Sequence, residues 1–118
     1  MSILTTVLAT LVALEHLYIF YLETIATQSA TTSRVFNMAQ DELARPSVDK
    51  LFKNQGVYNG LLALVLLYGI YLSANVELVV IFLVFVVAAA SYGALTAKRK
   101  IIVTQGGPAI LALLSFLI

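Results

Sequence analysis

The sequence predicts an all-α protein, a four-transmembrane-helix bundle in up-down-up-down order that fills one integral membrane domain over residues 1–118. Three observations carry that reading. Hydrophobic residues make up 61% of the chain and charged residues 11%, with a mean hydropathy of +0.98. A soluble domain has about 45–50% apolar and about 25% charged residues, so this excess has no place in a water-soluble core of such length. Four apolar runs approach the length of about 20 residues that a helix needs to cross a bilayer at about 1.5 Å per residue. The seven Lys and Arg residues fall in only two of the loops between those runs.

The first span is expected at about 3–27 and contains Glu15, His16 and Glu23. A cleaved signal peptide fits it poorly, because no Lys or Arg precedes it and Glu15 and His16 interrupt its apolar run. The loop 28–53 is the one soluble-looking segment. In it Val35, Phe36, Met38, Ala39 and Leu43 lie among charges, a spacing that predicts one short helix on the membrane surface. Pro46 suits the first turn of a helix that continues into span two. The second span, about 54–72, and the third, about 78–97, carry no charge; the fourth, about 101–118, is short. Pro108 removes a backbone donor inside it.

Charge sets the orientation. Arg34, Arg45, Lys50 and Lys53 lie between spans one and two, and Lys98, Arg99 and Lys100 between spans three and four. In a four-helix chain those loops share a side. The other side holds both termini and the turn 73–77, with no Lys or Arg. Basic loops stay in the cytosol, so both termini are expected outside a plasma membrane.

Composition also excludes chemistry. Without Cys there are no disulfides, thiolate zinc sites, iron–sulfur clusters or thiol nucleophiles. A net charge of +1 offers no basic field for nucleic acid. Nothing matches a nucleotide loop, a nucleophile elbow or a zinc-protease helix, and no cofactor is called for. Glu15, His16 and Glu23 would offer three metal ligands, but one His and no Cys is a sparse set, so no metal site is expected.

Ionisable groups inside a span are costly and usually face protein or water. At about 100° per residue, Glu15, His16 and Glu23 fall on one face of helix one, flanked by Tyr18. Gln55 and Asn59 share a face of helix two, where Gly56 and Gly60 form a Gly-x-x-x-Gly pair that admits a neighbouring helix. Gly60→Leu is expected to disrupt the fold more than Gly69→Leu, because Gly69 lies in the outer half, away from that face. Ala89, Gly93 and Ala97 make a related stripe on helix three beside Tyr92. Helix four soon reaches Gln105. Since helices one and three run inward and two and four outward, these polar groups all fall in the cytosolic half. Glu15, His16, Tyr18, Glu23, Gln55, Asn59, Tyr92 and Gln105 are the expected ligand-binding or proton-binding residues of a polar intramembrane pocket. Tyr68 and Tyr71 suit the outer aromatic belt.

The whole chain resembles a family of small four-helix membrane proteins called domain of unknown function 1304. The matching stretches are Leu-Val-Ala-Leu-Glu-His-Leu-Tyr-Ile-Phe-Tyr-Leu-Glu at 11–23, Asn-Gln-Gly-Val-Tyr-Asn-Gly-Leu-Leu-Ala at 54–63, Tyr-Gly-Ala-Leu-Thr at 92–96, Arg-Lys-Ile at 99–101 and Gln-Gly-Gly-Pro-Ala at 105–109. The resemblance implies a bacterial integral membrane protein whose signature includes those polar residues, and it names no activity. A weaker likeness, of architecture alone, links the chain to the small multidrug resistance transporters. Their motifs are absent, and their dual orientation disagrees with the charge partition.

Three functional readings follow. The leading one is a transporter or binding protein for a small molecule or ion, in which Glu15 exchanges a proton as the ligand enters or leaves. Burial disfavours the charged form of a carboxylate, which proton coupling requires. Four helices make a thin wall around a pathway, so a homodimer is expected. The second is a membrane-embedded enzyme acting on a lipid-like or quinone-like substrate, with Glu15 and His16 as acid and base; the lack of a nucleophile or metal set weighs against an enzyme. The third is a structural or regulatory membrane subunit.

Overall fold

The computed structural model describes residues 1–96 and 102–118. These residues are mainly helical, with no strand among them. Helix α1 (Ile3–Phe20) continues into a π-helical turn (Tyr21–Ile25); two short helices follow, α2 (Ala30–Phe36) and α3 (Gln40–Leu43). Helix α4 (Pro46–Leu67) ends in a second π-helical turn (Tyr68–Leu72), and α5 (Val76–Thr96) comes next. A third π-helical turn (Ile102–Gly106) leads into α6 (Gly107–Ser115).

Three helical stretches among the described residues are long and apolar enough to cross a membrane: Ile3–Ile25, Pro46–Leu72 and Val76–Thr96. The fourth expected span is realised more modestly, as a five-residue π-helical turn and a nine-residue helix. Pro108 explains the break. It has no N–H for the carbonyl four residues back, so regular α geometry starts at Gly107 with the proline in the first turn. The loop Lys98–Arg99–Lys100, with Ala97 and Ile101, lies outside the described residues.

The chain divides into two compact units. One comprises Met1–Glu15 and Ala63–Ile118. Its α5 buries Val79, Leu83, Val86 and Ala90, a stripe at steps of three and four. Of the expected Ala89–Gly93–Ala97 stripe, Ala89 is exposed and Gly93 half-buried, offset from this buried stripe. At the hairpin, a Cβ added to Gly69 would meet Leu78 at 3.1 Å and Val79 at 3.2 Å. Gly69 is thus a close-packing position too, made one by the approach of α5 after a three-residue turn. In that turn Ala74 has φ 47°, and the Asn75 side chain caps α5 by accepting from the Leu78 N–H at 3.1 Å.

Hydroxyls supply several of the side-chain contacts in this unit. Ser115 Oγ donates to the Ala112 carbonyl at 2.6 Å. With its single proton so used, it accepts from Thr5 Oγ1 at 2.6 Å. Thr5 in turn takes a bond from Ser2 Oγ at 2.9 Å. Thr10 Oγ1 lies 2.7 Å from the Tyr71 hydroxyl.

The other unit is His16–Leu62. Leu22, Leu43 and Thr32 are fully buried there. Ser29 caps α2 by accepting from the Thr32 N–H at 3.1 Å. The single surface helix expected in this loop is instead two, because Asn37 adopts the left-handed conformation (φ 54°) and ends α2. Helix α4 starts at Pro46, where the sequence places it.

Candidate functional site

The end of α1 is shaped by hydroxyls that compete for its carbonyls. Thr27 Oγ1 donates to the Glu23 carbonyl at 2.7 Å. Thr32 Oγ1 reaches the carbonyls of Leu22 at 3.1 Å and Ala26 at 2.7 Å. The Ala26 N–H bonds back to Tyr21 at 2.9 Å, which closes the wide turn. Within that turn Glu23 is only 6% exposed.

Its partner comes from α4. Asn59 Nδ2 donates to Glu23 Oε1 at 2.6 Å. Two glycines make this bond reachable. A Cβ on Gly56 would run into the Thr24 hydroxyl and come within 3.0 Å of the Glu23 Cβ. One on Gly60 would come within 2.9 Å of the Phe20 ring. The Gly-x-x-x-Gly pair therefore brings the α4 backbone against the end of α1, and Asn59, between them, meets the carboxylate. Thr24 Oγ1 adds a bond to the Lys53 carbonyl at 3.2 Å. A carboxamide donates to a carboxylate and, turned about, accepts from a carboxylic acid. A Glu–Asn pair can thus stay hydrogen-bonded in either protonation state.

The other expected site residues fall into different settings. His16 is buried, 4% exposed. Tyr18 and Gln55 are exposed, so Gln55 does not join Asn59 on the buried face although it lies one turn away. In the other unit Tyr92 is 69% exposed, and Gln105 is half-buried on the third π-helical turn. Glu15, also in that unit, is half-buried, yet its Oε1 is buried with no hydrogen-bond partner among the described residues. The two carboxylates of the first span are therefore unlike: Glu23 is held and Glu15 is not. Among the described residues no three His, Asp or Glu side chains come together as a metal set.

Thr24, Thr27 and Thr32 complete the setting of Glu23, and the sequence reading omits them. Thr27, four residues after Glu23, has the spacing of a hydroxyl that bonds back along a helix. Thr32 leaves no such signal, because its bond to Leu22 spans ten residues through a chain reversal.

No solved structure matches the chain. The protein is 60% identical over 116 residues to "Uncharacterized protein YpaA" of Lactococcus lactis subsp. lactis (strain IL1403), an alignment covering 98% of each chain. The model of the family described as "Protein of unknown function (DUF1304)" matches residues 10–117, and the chain belongs to that family.

Proposed function

We propose that this protein binds or carries a small molecule or ion in the membrane and that Glu15 exchanges the coupled proton. The observation that supports this reading is the unpartnered, buried Oε1 of Glu15. A polar atom removed from water normally finds a hydrogen bond, and one without a partner is costly. A carboxyl group so placed is relieved by taking up a proton or by meeting a ligand. Glu23, whose Oε1 already accepts from Asn59, has less need of either.

The reading includes the finer topology: four spans, both termini outside, the basic loops in the cytosol of a bacterial plasma membrane, and assembly as a homodimer. The partition of Lys and Arg supports the orientation, and the Lactococcus relative is bacterial. Cysteines placed singly at Ser2 and at Ser47 test it. In intact cells an impermeant thiol reagent should label only position 2; labelling at position 47 reverses the orientation.

The proton role is tested on the full chain reconstituted in liposomes. Infrared spectra across a pH series should contain a carboxylic-acid carbonyl band that Glu15→Gln removes and Glu23→Gln retains. An entrapped pH dye should report proton movement when sodium, potassium or a small organic amine is added outside. That movement should vanish in Glu15→Gln while the fold persists. A Glu15→Gln protein that keeps the parent's proton movement would remove Glu15 from the role. One that fails to fold would make the carboxylate structural.

A further inference from the structure

The geometry points to an anionic-phospholipid site on the unit His16–Leu62, with Arg34 and Lys50 as the headgroup ligands. Two tripeptides of the same kind meet there: Arg34-Val35-Phe36 at the end of α2 and Lys50-Leu51-Phe52 near the start of α4. The rings of Phe36 and Phe52 pack edge to face, with centroids 5.3 Å apart and planes at 81°, and this pins α2 to α4. The residue before each Phe faces outward: Val35 is 54% and Leu51 67% exposed.

Arg34 and Lys50 are exposed too, and neither enters an ion pair among the described residues. The other two cations of the segment are both engaged. Arg45 pairs with Glu42 at 3.2 Å, and Lys53 pairs with Asp49 at 2.6 Å. The carboxylate left over is Asp41, exposed on α3 and part of neither tripeptide.

An exposed aliphatic residue beside a free cation, twice, is the composition of an element that lies at the membrane surface. The aliphatic group enters the boundary of the acyl chains while the cation meets the phosphate. The occupant is lipid because the site is continuous with two stretches long and apolar enough to cross a membrane: Arg34 follows Ile3–Ile25, and Lys50 lies in the first turns of Pro46–Leu72. Lys50 stands only six residues, about 9 Å of helix, before Gly56. This surface is independent of the proton chemistry proposed for Glu15.

The test is lipid selectivity of the full chain in phosphatidylcholine vesicles. Trace spin-labelled phosphatidylglycerol and spin-labelled phosphatidylcholine are compared by the fraction each shows immobilised at the protein. The parent should favour phosphatidylglycerol, and added salt should weaken the preference. Arg34→Gln and Lys50→Gln should each lower it by up to about fivefold, the factor associated with one cation near an anionic surface. Lys53→Gln removes the same charge from an existing ion pair and should lower it less. Arg34→Lys and Lys50→Arg should retain it, which guards against misfolding as the cause. Equal losses at positions 34, 45, 50 and 53 would reduce the effect to net charge and overturn the site. So would a parent with no preference for phosphatidylglycerol.

Discussion

In the unit formed by residues 1–15 and 63–118, the Thr5 hydroxyl meets that of Ser115; in residues 16–62, the Glu23 carboxylate meets the Asn59 carboxamide. Both arrangements answer the same demand, since a polar group in lipid must find its partner within the protein. They differ in what they ask of the backbone. A Thr5–Ser115 contact needs only two short side chains at facing positions and carries no charge in any state. The Glu23–Asn59 contact involves a group that can be ionised, and it depends on two glycines that allow the helices together. The lesson is that the hydroxyl contacts act as neutral ties, while the carboxylate contact depends on close packing and exchanges donor for acceptor when Glu23 takes up a proton.

The largest expected effect follows from Gly56. Gly56→Val places a branched side chain where even a Cβ overlaps the Thr24 hydroxyl. It should destabilise the protein by about 3 kcal/mol or more, through overpacking and loss of the Asn59 bond together. Gly107, with nothing within 4 Å of an added Cβ, is the control; Gly107→Ala should change stability by less than about 0.5 kcal/mol. Unfolding by titrated denaturing detergent measures both. Equal effects at the two glycines would remove the close-approach account.

Asn59→Leu should come next, at about 2 kcal/mol, because it leaves the buried Glu23 side chain without its donor. Combined with Glu23→Gln in a double-mutant cycle, it should show a coupling of about 1 kcal/mol. Additive effects would mean that the two side chains are merely neighbours. Thr5→Val should cost less, about 1 kcal/mol, with the same value at acid and neutral pH because only hydroxyls are involved. A pH-dependent loss there would blur the distinction between the two units.

The sequence makes the long helices legible because their apolar runs are long and their ends are punctuated. Pro46 opens α4, and Pro108 marks the change of geometry in the last helical segment. The depth argument also places Glu23 and Asn59 in the same half of the bilayer, which is why both stand among the expected site residues. What it lacks is rotation. Gln55 and Asn59 look equivalent by spacing, but only Asn59 faces Glu23, since the glycines orient the helix. The Leu78 and Val79 contacts of Gly69 are illegible for a related reason: they come from the next helix, after a turn whose tightness no periodicity encodes.

A small gain in stability is expected in that turn. Ala74 joins the end of the second π-helical turn to α5 with φ 47°. There the Cβ of an L residue crowds the backbone, at a cost of about 1–2 kcal/mol. Glycine adopts this conformation without the clash, though it loses more chain entropy on folding, by about 0.5–1 kcal/mol. Ala74→Gly should therefore stabilise the protein slightly, by up to about 1 kcal/mol. The neighbouring bonds, Asn75 N–H to the Gly69 carbonyl at 2.9 Å and Leu78 N–H to the Asn75 side chain at 3.1 Å, should persist. The same detergent titration reads the gain. A loss of stability instead would show that the Ala74 methyl contributes contacts that outweigh its backbone strain.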